Sequence, residues 1–252
     1  MPLTFAHPAA ILPFPRNSNY INFLAMVLGS MSPDFEYFLR GKPYGEIGHT
    51  LTGFVVFNLP IVLIVYWIYK TYIHSTLFSH LPSFLQDPYS KKSSSTSLLT
   101  AIVFVYSALF GMLTHVVWDS FTHLDGFMVK HLSFLTYTAD LFNYEIPIYK
   151  FLQHGSTIVG IIAIIGYMYI RAAKRRCTDT RSKKPKQKLM YWGQITFLTT
   201  VLFCVWYLIS KVSLESYGTI VVRIIDSAFI SLFIVSFYFR KFNQLTKMYK
   251  DI

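Results

Sequence analysis

Composition sets the first limit on this chain of 252 residues: hydrophobic residues make up 53%, aromatic residues 18% and charged residues only 14%, against roughly 25% charge in a soluble domain. The apolar residues lie in long unbroken blocks, which suit a bilayer and not a water-soluble core, so a soluble globular protein is excluded. The formal charge of +11 is concentrated: residues 171–190 hold nine basic residues against Asp179 alone and supply +8 of it, a pattern that points to topology or anionic-lipid contact and not to nucleic acid.

Residues 1–15 do not read as a cleavable signal, because Pro2, Pro8, Pro13 and Pro15 interrupt them and they hold no early basic cluster or long apolar centre. Residues 20–31 are apolar but too short to cross; with the break at Ser32-Pro33-Asp34, residues 20–40 read as an interfacial or re-entrant helical segment. Five segments are long enough to span, at about 50–69, 98–118, 155–170, 191–210 and 218–239, the third being short and starting in the interface. Pro60 is a candidate kink in the first. Tyr66, Trp67 and Tyr69, then Tyr167 and Tyr169, Tyr191 and Trp192, and Tyr238 gather where headgroups would lie. Residues 86–97 are a polar connector. Cys177 and Cys204 form neither a disulfide framework nor a cysteine metal motif.

The expected fold class is therefore all-α: a polytopic helical membrane protein with about five transmembrane helices and an N-terminal interfacial segment. Residues 1–170 form a membrane domain, 171–190 a basic cytoplasmic loop and 191–252 a C-terminal two-helix membrane anchor. With that loop inside, alternation places 70–97 and the C-terminal tail inside too, carrying +2 and +3, while 1–47, 119–153 and 211–217 carry 0, −2 and 0 on the other side. The whole charge excess then falls on one face, which puts the N-terminus outside and the C-terminus in the cytoplasm. Arg223 and Asp226 cancel and read as a structural ion pair.

Of eight histidines, His74 and His80 fall on the cytoplasmic side, and His7, His49, His115, His123, His131 and His154 on the outer side or at outer helix ends. Asp34, Glu36 and Asp119 share that zone. The sharpest local signal is His115-Val-Val-Trp-Asp119-Ser-Phe-Thr-His123, where spacing of four sets the polar groups on one helical stripe. An imidazole and a carboxylate one turn apart can share a divalent cation. His123 and His131 read instead as hydrogen-bonded interfacial groups, and a helix-end hydrogen-bond pair is the competing account of His115 with Asp119.

Met1-Pro-Leu-Thr-Phe-Ala-His7-Pro-Ala-Ala10, Gly29-Ser-Met-Ser-Pro-Asp34-Phe-Glu-Tyr37, Gly48-His49-Thr50, Leu113-Thr-His115-Val-Val-Trp-Asp119-Ser-Phe-Thr-His123 and Gln153-His154-Gly-Ser-Thr157 resemble, over about residues 1–170, a bacterial family of uncharacterised membrane proteins. That family is similar to membrane-bound metal-dependent hydrolases and, more remotely, to zinc-dependent phospholipase C. The resemblance implies a zinc-type site with His7, Asp34, His49, His115, Asp119 and His154 as ligand candidates. Those phospholipases pair a second helical histidine with a glutamate four residues on; here His154 is followed at that spacing by Ile158, so one or two divalent ions are expected and not three.

The function expected is a metal-dependent hydrolase in the bacterial cytoplasmic membrane, acting at its outer face on a phosphoester, with a membrane lipid or lipid-linked molecule as substrate. Asp34 or Asp119 would ligate the ion or take a proton from water. The alternative is a non-catalytic protein that binds or moves a metal ion or other ligand; transport would need polar groups at mid-bilayer, of which the first, second and fourth spans offer almost none. Nucleic acid is not an expected partner; anionic lipid at 171–190 is.

Overall fold

The computed structural model describes residues 3–86, 98–141, 144–174 and 183–248, with side chains as far as residue 242. A 3-10 helix (Thr4–Ile11) is followed by α1 (Phe23–Gly29), a 3-10 turn (Ser32–Asp34) and α2 (Phe35–Arg40). Then come α3 (Leu51–His80), α4 (Leu98–Thr122), α5 (Phe127–His131), the strands β1 (Thr138–Leu141) and β2 (Tyr144–Pro147), α6 (Ile148–Lys174), α7 (Pro185–Ile209) and α8 (Tyr217–Met248). Five of these helices, α3, α4, α6, α7 and α8, are long and apolar enough to cross a membrane. Leu63, Ile64 and Trp67 on α3 are each more than half exposed, apolar surface that suits contact with lipid. The chain is an all-α polytopic membrane protein.

The spans are longer than the apolar runs suggest. The first runs to His80 and the third starts at Ile148, so the third is a full 27-residue helix. Backbone hydrogen bonding does not stop where hydropathy does: Lys70 and His74 continue α3, through a widened turn at Tyr69–Ile73. A second such turn, Phe54–Asn58, lies just before Pro60, which has no N–H to donate to the preceding turn. The β1–β2 hairpin, antiparallel with Thr138 opposite Pro147 and Leu141 opposite Tyr144, was not expected in an all-helical chain. Its four-residue strands are too short to carry a recognisable alternation.

The chain divides into two compact units. The first comprises residues 1–35, 46–63 and 90–167. Its centre is the crossing of α1 on α4, which is a contact between backbones: a Cβ on Gly29 would overlap the Ala108 carbonyl, and one on Gly111 would overlap the Met26 carbonyl. Small residues of this kind let helices approach closely inside a membrane. Asn22 caps α1 by accepting from the Ala25 N–H at 3.1 Å, while its own N–H donates to Ser107 Oγ on α4 at 3.0 Å. The N-terminal segment is tied to α6 by a bond from the Leu3 N–H to Thr157 Oγ1 at 3.0 Å.

The second unit comprises residues 36–45, 64–89 and 168–252. Its centre is Tyr191, Ile195 and Val235, between α7 and α8. Tyr191, expected among headgroups, is fully buried; its hydroxyl pairs with Ser236 Oγ at 2.8 Å, and the buried His80 ring stacks on it at 4.4 Å. Gln86, expected at the start of the polar connector, is buried and donates to the carbonyls of Phe78 and Leu81 at the end of α3, both at 3.0 Å. The expected Arg223–Asp226 ion pair does not form. Arg223 reaches toward the start of its own helix, donates to the Ser210 carbonyl closing α7 and lies over the Trp206 ring; Asp226 is buried with Oδ2 unpartnered. The long guanidinium meets a helix-end carbonyl that has no partner within its own helix, a better acceptor than a carboxylate turned inward. Most of the basic loop (175–182) and the connector beyond Gln86 (87–97) lie outside the described residues.

Candidate metal centre

Four side chains converge in the first unit. Asp34, His49, His115 and Asp119 each offer one ligand atom, and these atoms all lie within 4.8 Å of one another. They come from three separate stretches of chain. Asp34 ends the 3-10 turn Ser32–Asp34, which packs against the widened turn Phe54–Asn58 of α3. His49 sits just before α3, whose N-terminus Thr50 caps by accepting from the Gly53 N–H at 2.9 Å. His115 and Asp119 lie one turn apart near the end of α4, as the spacing of four predicts.

Each donor is held by a neighbour. His115 Nδ1 lies 2.8 Å from the Ser30 carbonyl. A carbonyl only accepts, so Nδ1 carries hydrogen and Nε2 is the ring atom turned to the cluster. That Nε2 is 3.2 Å from Asp119 Oδ2 and 3.5 Å from Asp34 Oδ1. Asp34 accepts from the Thr4 hydroxyl at Oδ2, 2.6 Å away, leaving Oδ1 to the cluster. His49 Nε2 stands 3.6 Å from both Asp34 Oδ1 and Asp119 Oδ2. The loop carrying His49 is pinned from within α3: the amide of Asn58, fully buried, donates to the Gly48 carbonyl at 2.6 Å. Thr4, Ser30 and Asn58 are not legible as site residues from the sequence; Asn58, a carboxamide inside an apolar run, is the one with a signal.

His7 joins this group from the N-terminal 3-10 helix. Its ring stacks on His115 with centroids 3.7 Å apart, and its Nε2 lies 3.6 Å from Asp119 Oδ1. Burial first, and then the neighbouring His115, lowers the His7 pKa to about 3, so its imidazole is neutral at ordinary pH. Burial opposes ionisation of Asp34, but the neighbouring His115 and His7 rings favour the charged form, and its pKa is lowered. Asp34 and His115 are fully buried, while the His49 side chain keeps 30% of its exposure; the cluster meets solvent on the His49 side.

Four polar atoms turned into this space have no hydrogen-bond partner: His7 Nε2, Asp34 Oδ1, His115 Nε2 and Asp119 Oδ1. Buried polar groups are nearly always partnered, and two carboxylates brought this close repel unless positive charge lies between them. Three imidazoles and two carboxylates, with lone pairs facing one another, form the kind of nitrogen and oxygen donor set that suits zinc or a similar first-row divalent ion.

His154 is not brought into this group. It is exposed on α6; the inward positions at that level are Gln153, which is buried, and Thr157, which holds Leu3. A helix turns about 100° per residue, so neighbours cannot all face inward. His123, just past α4, sits with Nδ1 3.1 Å from the Asp119 backbone carbonyl and 3.7 Å from its Oδ1. His131 is exposed, bonds through Nδ1 to the Phe127 carbonyl at 2.7 Å and packs on the Phe127 ring. Glu36, acidic but outside the cluster, pairs with Arg40 at 2.7 Å.

No curated protein and no solved structure is detectably similar to this chain. One family is: the match to the domain of unknown function DUF4184 runs over residues 1–237, so the chain with this buried histidine–aspartate cluster is a member of the DUF4184 family.

Proposed function

We propose that this protein is a membrane-bound, metal-dependent hydrolase that cleaves a phosphoester, with a lipid or lipid-linked molecule as substrate, at the extracytoplasmic membrane surface. The observation that carries the reading is the convergence of Asp34, His49, His115 and Asp119 within 4.8 Å, with His7 stacked beside them and unpartnered donor atoms facing inward. Location supports the lipid part: His49 immediately precedes α3 and Asp119 lies at the end of α4, so the cluster sits at the ends of two spans and not midway along them. The resemblance read from the motifs over about residues 1–170, to an uncharacterised membrane family similar in turn to membrane-bound metal-dependent hydrolases, suggests the same reading.

A bound divalent ion, zinc or a relative, would acidify a water and polarise the phosphoryl oxygen. His115 and His49 would offer ring nitrogens to such an ion, and Ser30 and Asn58 keep them aimed. Of the two carboxylates, one would complete the ligand set and the other would take the water's proton as the new O–P bond forms. The ester P–O bond breaks in the same displacement, and the proton passes to the departing alkoxide. The products are an alcohol and a phosphate.

The test is elemental analysis of detergent-purified protein after metal-replete growth, beside His115→Ala and Asp119→Asn. Stoichiometric metal in the wild type, lost in both variants, together with turnover of phospholipid or isoprenoid phosphates, is the expected result. A wild type without stoichiometric metal refutes the hydrolase. Metal without turnover of any phosphoester leaves a metal-binding or metal-moving protein instead.

A further inference from the structure

Beside the cluster lies a cavity of about 490 Å³ whose lining includes His7 and the residue next to Asp119, Trp118. Its long wall is one face of α6: Leu152, Gly155, Ser156, Val159, Gly160 and Ala163 recur at spacings of three and four. From Leu152 to Ala163 that face extends about 16 Å along the helix axis, at 1.5 Å per residue. The opposite wall is the N-terminal 3-10 helix, which contributes Ala6, Ala9 and Ala10. The two walls come close at one point, where a Cβ on Gly160 would stand 2.9 Å from the Ala6 carbonyl; elsewhere the small side chains leave a trough.

Two features identify the occupant. Polarity is scarce: His7, Trp118 and Ser156 are the polar side chains among the lining residues, and the Ser156 hydroxyl is bonded back to the Gln153 carbonyl of its own helix at 3.2 Å. The trough also follows α6, a helix long and apolar enough to cross a membrane, and its lining reaches His7 beside the donor cluster. A polar sugar or nucleotide would find nothing to bond along such a wall, while a flexible hydrocarbon chain would cover it.

We infer that this trough is the seat for the hydrocarbon tail of a long-chain phosphoester, an alkyl, acyl or isoprenyl chain, whose phosphate is delivered past His7 to the donor cluster. The inference rests on the phosphoester reading of that cluster. It makes chain length the main determinant of substrate choice, and it makes the 3-10 helix a part of the substrate site as well as a carrier of His7.

Gly155 allows a clean test, because a Cβ added there meets nothing within 4 Å; a leucine therefore grows into the trough without displacing backbone. Gly166, farther along α6, has the same open surroundings outside the trough and serves as the control. Purified wild type, Gly155→Leu and Gly166→Leu are compared on p-nitrophenyl hexadecyl phosphate in mixed micelles and on p-nitrophenyl butyl phosphate, with metal content measured for each. The same three proteins are labelled with a hexadecyl phosphate carrying a photoactivatable diazirine, and the labelled peptides are mapped by mass spectrometry. The expected result is a wild-type preference for the long chain that falls tenfold or more in Gly155→Leu and not in Gly166→Leu, with label on residues 148–166 and 3–11 of the wild type only weakly present in Gly155→Leu. An undiminished long-chain preference, or label unchanged by Gly155→Leu, overturns the tail seat. Should none of the proteins hydrolyse either ester, the hydrolase reading fails while the labelling still decides whether the trough holds a lipid tail.

Discussion

Asn58 offers the most demanding check on how the centre is held. Its amide is fully buried in the widened turn of α3 and donates to the Gly48 carbonyl at 2.6 Å, one residue from the donor His49. Replacing it by alanine removes a hydrogen bond between buried groups, at a cost of about 1–3 kcal/mol. If that cost falls on the His49 loop, metal affinity drops by roughly 10–100-fold, the range seen when supporting hydrogen bonds around a metal ligand are removed; at about 1.4 kcal/mol per factor of ten the two ranges agree. The assay is competition for zinc against a chromophoric chelator in detergent, with thermal unfolding measured alongside. Val62→Ala is the comparison: Val62 is equally buried on the same helix but its apolar side chain cannot hydrogen-bond the His49 loop, so the substitution should lower the unfolding temperature and leave zinc affinity unchanged. Wild-type affinity in a folded Asn58→Ala protein would refute the argument that α3 positions His49 through this bond.

Two further outcomes are expected. The burial that lowers the His7 pKa from 6.5 to about 3 keeps its ring neutral in the metal-free folded protein, whereas the unfolded chain takes up a proton there below 6.5. This ring's contribution to stability is therefore flat above pH 6.5 and declines as pH falls from 6.5 toward 3; histidine-labelled NMR should show one ring, absent from His7→Gln, that keeps its neutral shifts at pH 5, and a ring titrating near pH 6.5 in its place would contradict the burial argument. The distribution of basic residues predicts that reporter fusions after residue 180 and after residue 135 signal opposite sides of the membrane, the first cytoplasmic; two fusions reporting the same side would remove the assigned orientation.

What could be read from the chain alone follows the range of the physics involved. Hydrophobic length marks the spans because the bilayer imposes it locally, and His115 with Asp119 was visible because the helical repeat brings them together whatever the rest of the fold does. The meeting of His7, Asp34 and His49 with that pair is a long-range event; motif resemblance indicated it and periodicity did not. The supports escaped because their residue types carry no signal until their partners are placed. Ser30 works by its carbonyl, which any residue has, and Thr4 is an ordinary hydroxyl until Asp34 is placed 2.6 Å away. His154 is a different case, since a motif identifies a residue type while the helix phase decides where it points, and on α6 His154 is exposed and outside the group. Arg223 and Asp226 sat at a favourable spacing, yet Arg223 found the unsatisfied end of α7 first.

The glycine crossing of α1 on α4 bears on which ions the cluster can accept. Backbone pressed on backbone at Gly29 and Gly111 leaves no side chain whose rotation could let α1 slide, so the separation between the Asp34 side and the His115 side is set as by a fixed jaw. His49 is the most exposed of the four donors, but its loop is held in turn by the Asn58 amide. An ion bound there would have to suit a spacing that the backbone sets before it arrives.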